Sequence, residues 1–416
     1  MSKIVTRHYD DADSKGYNVR TAMEEATRCL LCHDEPCSKA CPAGTEPGRF
    51  IRSIRFRNFK GAAEIIREAN VLGGCCARIC PAGQLCEGEC SRTGIDRPID
   101  IRGLQRFAIE QEQIFGMETL KTASSKNQRV ACVGAGPASL ACAAEMAKLG
   151  YQVEIFEKMP LAGGMMSYGI TPARLPQAVI EHDIAQIIKL GVKIHYGHSL
   201  SEKLSISELR NEFAAIFIGV GLWCSRPIEI EGGQLTGVYN AIDYLARART
   251  GCSGFTVGND VVVIGGGDTA MDCAATAKML GAANVTIVYR RTVAEAPADI
   301  EEVENIQAMD ISIITRFKPL KIEGQDKVSG FIAQGTDDYS QLKLKADQVV
   351  FAIGQLPSCW RESTVKLTVD EDMVVSTDGL FAGGDIVNGG STVVQAVADG
   401  KKAARSIAKY LEGGCV

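Results

Sequence analysis

The chain has 416 residues, 46% apolar and 23% charged, with a formal net charge of −5. That length suits two or three domains with sizeable cores, and the mild acidity excludes a general pull toward nucleic acid or an anionic membrane. The first residues, MSKIVTRHYDDADSKGY, lack the apolar core of a signal peptide, and no run of about 18 apolar residues occurs, so a cytoplasmic location is expected.

Sixteen cysteines are then an anomaly, because disulfides do not persist in a reducing compartment. Nine of them lie between Cys29 and Cys90, which makes metal binding the first reading of that segment. The chain is polar to residue 28, with a weak helical pattern from Val19. It then runs Cys29-x2-Cys32-x4-Cys37-x3-Cys41-Pro42. From Gly48 to Asn70 apolar residues recur at roughly helical spacing, and the arginines there read as a solvated helix face. A second cysteine group follows, Cys75, Cys76, Cys80-Pro81, Cys86 and Cys90. A helical segment, Arg102 to Phe115, closes the region, and a polar linker, Thr122 to Gln128, leads out of it.

Val130 to Lys158 reads as strand, glycine turn, helix, strand. Gly134, Gly136 and Ser139 stand at the spacing of a dinucleotide-binding turn. Glu157 ends the second strand, where an acid can hydrogen-bond a ribose hydroxyl. A Gly- and Pro-rich loop leads to an amphipathic helix, Gln177 to Lys189, and a short strand, VKIHYG. An apolar strand, Ala215 to Val220, and a helix, Asn240 to Thr250, close this half. A second unit of the same layout opens at Asp260, with Gly265, Gly267 and Ala270 in the turn positions. Beyond Pro297 the pattern is one of shorter alternating strands, then LFAGGD (Leu380 to Asp385) and a long helix from Val393. The return to an apolar strand ending in Gly383-Gly384-Asp385 predicts that the first unit and the C-terminal stretch form one domain, with the second unit inserted.

VGAGPAS, AGGMMSYGITPARLP, IGGGDTAMDC, FAIGQLPS and FAGGDIVNGGSTV resemble the flavin–pyridine nucleotide oxidoreductases. More narrowly, Arg28 to Leu411 is similar to the glutamate synthase small subunit and to the N-terminal half of dihydropyrimidine dehydrogenase. The resemblance implies an α/β protein in which an α-helical iron–sulfur domain (1–120) precedes two Rossmann-like domains of the disulfide-reductase type. These are an FAD domain (121–253 and 355–416) and an NAD(P) domain (254–354) inserted in it. It implies FAD on the first unit, a nicotinamide dinucleotide on the second, and two [4Fe–4S] clusters in the helical region.

The cysteine spacing is near the ferredoxin type, in which the Cys before Pro serves the other cluster. Zinc also uses four-cysteine sites, but usually two CxxC knuckles, and only Cys29-x2-Cys32 is present. By the resemblance, Cys29, Cys32, Cys37 and Cys90 hold one cluster, and Cys41, Cys80, Cys86 and Gln105 the other, with Cys75 and Cys76 as spares. Cys132, Cys142, Cys224, Cys252, Cys273 and Cys359 read as isolated, buried free thiols.

For the cofactors, the expected contacts are the cradles Gly134, Ala135, Gly136, Pro137, Ala138 and Gly266, Gly267, Asp268, Thr269, with Glu157 on the FAD ribose and Asp385 near the flavin. The resemblance adds Ile79, Lys158, Gly164, Met165, Arg174, Leu200, Ala352, Ile353, Gly354, Gly384, Thr392 and Val393. Arg290 and Arg291, where NAD enzymes usually carry an acid, suit a 2′-phosphate and hence NADPH. Glu295, Asp299, Glu301 and Glu302 would repel that phosphate if they lie near it, and the resemblance favours NADH. No general acid or base is expected, because the cofactors carry the hydride transfer.

No FMN-binding barrel follows Val416, so the resemblance implies an electron-input subunit. It would oxidise NADH through FAD and pass electrons to a separate FMN- and iron–sulfur-containing chain that interconverts uracil or thymine with the dihydropyrimidines, as a heterotetramer. Three alternatives stand beside it: a glutamate synthase small subunit, against which Gln105 and the compact length speak; a thiol–disulfide reductase, which needs a CxxC in the second unit where only Cys273 occurs; and a zinc-stabilised docking module.

Overall fold

The computed structural model describes residues 16–200, 205–227, 229–252, 254–356 and 367–414. Its first region is helical: Val19–Thr27, Pro36–Lys39, Pro47–Arg55, Phe59–Ala69, Gly73–Ile79 and Ile101–Ile114. The amphipathic stretch from Gly48 to Asn70 is two helices rather than one. Arg57 turns into the left-handed region (φ 59°), and the Asn58 side chain caps the next helix by accepting from the Gly61 N–H at 2.9 Å. The break lets both apolar faces close on the Ile101–Ile114 helix, burying Phe50, Ile54, Ile66, Leu104 and Phe107 together.

The first sheet runs in the order 374–376, 380–382, 215–218, 129–133, 152–157, 193–196, parallel throughout except for its first strand. The C-terminal strand Leu380–Ala382 thus lies beside Ala215–Ile218, and the inserted unit departs and returns between them. Helix Pro137–Lys148 packs closely against helix Val393–Leu411. A Cβ on Gly400 would stand 2.1 Å from the Ala138 carbonyl, so the two backbones meet where no side chain fits.

The second sheet, in the order 238–240, 348–351, 260–264, 284–289, 312–315, is parallel throughout. Helices Ala241–Thr250, Asp268–Met279 and Ile300–Ala308 cover one face, and an antiparallel sheet of Phe317–Gly324, Val328–Gly335 and Gln341–Lys345 covers the other. Two sequence expectations change here. The helix read as Asn240 to Thr250 and as closing the first half runs Ala241–Thr250 and belongs with the second sheet, where it follows an unforeseen strand, Val238–Asn240, and its Tyr244 and Leu245 pack with Ala270 and Cys273. A helix also forms within the acidic run after Pro297, because Asp299 caps it through the Glu301 N–H at 3.0 Å.

Cys132, Cys142 and Cys273 are buried as expected, whereas Cys224 is half-buried and Cys252 exposed. Burial and the neighbouring Cys132 thiol raise the Cys142 pKa well above its ordinary value. Cys359 lies outside the described residues. No described helix is long and apolar enough to cross a membrane.

Candidate functional site

At the first glycine turn, Gly134 has φ 87°, and a Cβ there would meet the Gly219 carbonyl at 2.8 Å. Only glycine lets the strand turn so sharply beside its neighbour. Around Gly136, by contrast, a Cβ would find nothing closer than the Gly219 carbonyl at 3.8 Å, so open space reaches the backbone just before the helix Pro137–Lys148 begins. This is the anion cradle that a glycine turn and helix N-terminus provide. Glu157 closes it from the second strand, its carboxylate accepting from the Ala135 N–H at 2.5 Å and the Met159 N–H at 2.7 Å. Burial raises its pKa, and those backbone N–H groups oppose the rise.

Gly384 and Asp385 line the cavity beside this cradle, where a Cβ on Gly384 would stand 2.9 Å from that of Ala138. Asp399 on the C-terminal helix accepts from the Gly384 N–H at 3.2 Å and from the Asn388 side chain at 3.0 Å, fixing the turn. Sequence reasoning missed Asp399. A carboxylate amid the apolar face of that helix, between Ala396 and Gly400, is the signal that marks it. Burial also raises the Asp385 pKa, with the Ser391 N–H donating to its side chain at 3.2 Å.

In the second unit, a Cβ on Gly265 would stand 2.3 Å from the Ala352 carbonyl, so the turn approaches the Ala352–Gly354 segment backbone to backbone. Each of the four acids after Arg291 has a definite partner. Glu295 accepts from the Thr292 N–H and hydroxyl, at 3.0 and 2.7 Å. Asp299 accepts from Gln84 at 3.1 Å, Glu301 pairs with Arg102 at 3.1 Å, and Glu302 pairs with Arg174 at 2.7 Å. Arg174 also forks onto Asp272, at 2.9 and 3.0 Å. Its guanidinium therefore ties the first unit to the second as well as lining the space between them. Burial lifts the Glu302 carboxyl to about 7, against the pull of Arg174 and with the help of Asp272, Asp268 and Asp299. Among the described residues, no hydrogen bond or ion pair occupies the Arg290 and Arg291 side chains, which are exposed.

One continuous cavity of about 1540 Å³ runs between the two units and against the helical region. Single-ligand pockets span roughly 300–1,000 Å³, so this one has room for two dinucleotides. It brings together every cofactor-binding candidate, from Ile79 and the two glycine cradles through Lys158, Gly164, Met165, Leu200, Arg290, Arg291 and Ile353 to Thr392 and Val393. Sequence reasoning did not single out Trp223, which lines the cavity and stands edge-on to Tyr168 with ring centroids 5.5 Å apart.

The cysteines form two groups. Cys29, Cys32, Cys37 and Cys90 sit close enough for their thiols to act on one another electrostatically. Burial, Glu35 and those neighbouring thiols push Cys37 up to about 12. Cys41, Cys80 and Cys86 line a second, small pocket with Gln105. The Gln105 amide N–H donates to the Gly73 carbonyl at 2.7 Å, so the atom it can offer the thiols is its own carbonyl oxygen. Cys76, expected as a spare, lines this pocket and hydrogen-bonds Cys80, raising the Cys80 pKa together with burial and the thiols Cys86 and Cys41. Cys75 stays outside it, buried. Among the described residues no three His, Cys, Asp or Glu side chains gather into a single-ion site. Seven thiols and one amide oxygen in two groups are a donor set that fits two iron–sulfur clusters. Cys80 and Arg102 line both the small pocket and the large cavity.

Residues 6–117 match the family described as dihydropyrimidine dehydrogenase domain II, 4Fe-4S cluster, and residues 121–400 match the pyridine nucleotide-disulphide oxidoreductase family. The NAD-dependent dihydropyrimidine dehydrogenase subunit PreT homolog of Salmonella typhi is 42% identical over 413 residues, 98% of this chain and 99% of that protein. The glutamate synthase [NADPH] small chain of Halomonas elongata is 31% identical, over 95% of this chain and 92% of that protein. Among solved structures, thioredoxin reductase of Lactococcus lactis superposes with a TM-score of 0.57 at 21% identity, covering 69% of this chain and all of that one, a likeness of fold alone. The chain is therefore a member of the pyridine nucleotide-disulphide oxidoreductase family that carries an N-terminal 4Fe-4S domain, and within it belongs with the PreT-type dihydropyrimidine dehydrogenase subunits.

Proposed function

We propose that this chain is the electron-input subunit of an NAD-dependent dihydropyrimidine dehydrogenase. The observation that carries the reading is the shared wall. Cys80 faces both the cavity with room for two dinucleotides and the pocket of cluster-type donors, so electrons need cross only one residue to leave. When bound, NADH would supply the hydride, FAD would accept it, and [4Fe–4S] clusters would carry the electrons out singly.

The chain's own residues bind and orient. The Gly134–Ala138 turn cradles the FAD pyrophosphate, Glu157 takes its ribose, and Gly384 and Asp385 shape the flavin end. Gly266–Thr269 cradle the second dinucleotide. Cys29, Cys32, Cys37 and Cys90 hold one cluster, and Cys41, Cys80, Cys86 and Gln105 the other. The thiols lose their protons on loading, which a buried apo-site resists. NADH is favoured because Glu295 stands close enough to Arg291 to interact with it, offsetting the charge that a 2′-phosphate needs. The acceptor is an FMN- and iron–sulfur-containing partner subunit that interconverts uracil or thymine with the 5,6-dihydropyrimidines, in a cytoplasmic heterotetramer. The domains follow as 1–120 for the clusters, the FAD unit split around the insertion, and the NAD unit between.

Anaerobic purification with any bound partner, followed by NADH and NADPH oxidation with and without uracil, tests the reading. Uracil-dependent NADH oxidation is expected. Oxidation that depends instead on 2-oxoglutarate and glutamine assigns the chain to glutamate synthase.

A further inference from the structure

Arg102 occupies the first turn of the helix Ile101–Ile114, its backbone N–H held by the Glu87 carboxylate at 2.8 Å. Its guanidinium donates to the Cys80 carbonyl at 2.9 Å through one nitrogen and reaches Glu301 at 3.1 Å through another. The Arg102 side chain is 10% exposed and that of Glu301 14%, so solvent screens this contact only weakly. Gln105 follows three residues on, on the same helix face. Arg102 thus stands between the two cavities, against a thiol-bearing residue, while its counter-charge belongs to the helix Ile300–Ala308 of the inserted unit.

Resting on the cluster reading above, we infer that Arg102 is a positioning residue for electron exit, whose fixed positive charge raises the reduction potential of the cluster held by Cys41, Cys80, Cys86 and Gln105, and whose effect Glu301 attenuates. When one electron leaves the reduced flavin and one is gained by that cluster, the cluster becomes one unit more negative, and no proton moves at Arg102. A cation at the Cys80 backbone favours the reduced form, since charge and hydrogen bonds around the sulfurs set such potentials. Because Glu301 rides on the dinucleotide-binding unit, the strength of that bias depends on the seating of this unit.

The test uses the anaerobically purified, flavin- and cluster-loaded full chain, with iron and acid-labile sulfide measured first. Redox titration followed by electron paramagnetic resonance then gives the cluster potential in Arg102→Gln, Arg102→Lys and Glu301→Gln. Arg102→Gln is expected to shift the flavin-to-cluster equilibrium toward the flavin by roughly tenfold, about 59 mV for a one-electron couple. Arg102→Lys restores most of the shift, and Glu301→Gln moves the potential the opposite way. Full iron and sulfide with unmoved potentials, or shifts of the same sign in Arg102→Gln and Glu301→Gln, overturns the inference. A parent chain without iron and sulfide overturns the cluster reading and the inference with it.

Discussion

Arg67 and Asp183, 116 residues apart in the chain, meet at 2.6 Å with neither side chain exposed. Arg67 comes from the helical region and Asp183 from the helix Gln177–Lys189, and Glu112 completes the group by pairing with the same guanidinium at 2.6 Å. Asp183 also accepts from the Cys75 N–H at 2.8 Å, which orients the helix Gly73–Ile79 that delivers Cys80. Removing Arg67 takes the shared guanidinium from two buried carboxylates, leaving Asp183 with the Cys75 N–H and Glu112 with His182 and Thr119. Arg67→Met should therefore cost about 3–5 kcal/mol, measured by denaturant unfolding of the loaded chain. A loss under ~1 kcal/mol contradicts the pairing.

The same group predicts acid sensitivity. Burial works against the Glu112 charge, but hydrogen bonds from His182, Arg67 and Thr119 and the charge of Arg67 outweigh it, holding the carboxyl down to about 2 from an ordinary 4.5. A folded-state pKa below the unfolded value contributes stability that is present above the ordinary value and lost as pH falls toward the folded one. Unfolding midpoints should drop between pH 4.5 and 2, and Glu112→Gln should flatten that slope while lowering stability at neutral pH.

Glu302 works in the opposite direction. Its folded value of about 7 lies above an ordinary 4.5, so the folded chain holds the extra proton between those values and loses stability as pH rises through them. Asp272 shares Arg174 with it, so the two acids titrate as a pair. Above neutrality the cavity gains negative charge beside the dinucleotide cradle. The dissociation constant for NADH, followed by quenching of flavin fluorescence, should rise from pH 6 to 8 in the parent and stay flat in Glu302→Gln.

On the proposed cluster reading, Gln105 and Cys76, which both line the small pocket, are the two candidates for its fourth ligand. Gln105→Ala should lose one cluster of two, about half of the iron, while Cys76→Ser keeps the full complement. The reverse pattern hands the position to Cys76.

On the proposed reading, Arg291 and Glu295 govern the choice of dinucleotide. Glu295→Gln should improve NADPH use relative to NADH, and Arg291→Ala should remove what NADPH use there is. Steady-state kcat/KM with an artificial acceptor reads both.

Much of this was legible in the residues because the glycine turns, the two strand–helix–strand units and the cysteine spacing are local signals. Gln177–Lys189 and Val393–Leu411 form where their periodicity places them. What escaped was set by tertiary pairing. Ala241–Thr250 carries the same apolar stripe whichever sheet it covers, and only the pairing of Val238–Asn240 with Val349–Phe351 decides. The split at Arg57 escaped because the apolar spacing carries on across it. Arg102, Asp399 and the Arg67 network escaped because a charged residue on a helix gives no sign in sequence of the buried partner that awaits it.

The position of strand Leu380–Ala382 beside Ala215–Ile218 has a consequence for biosynthesis. Between these neighbours the ribosome must deliver the entire inserted unit, which has its own sheet and core and can fold while the first sheet still lacks its closing strands. Gly384, Asp385 and the helix bearing Asp399 emerge later still, although they line one cavity with Gly134 and Glu157. On the proposed reading, flavin capture would have to wait until these segments have emerged. A nascent chain stalled before Leu380 would carry a finished dinucleotide unit and no flavin site, and quality control would meet it as a half-open sheet with an unpaired edge at Ile216 and Phe217.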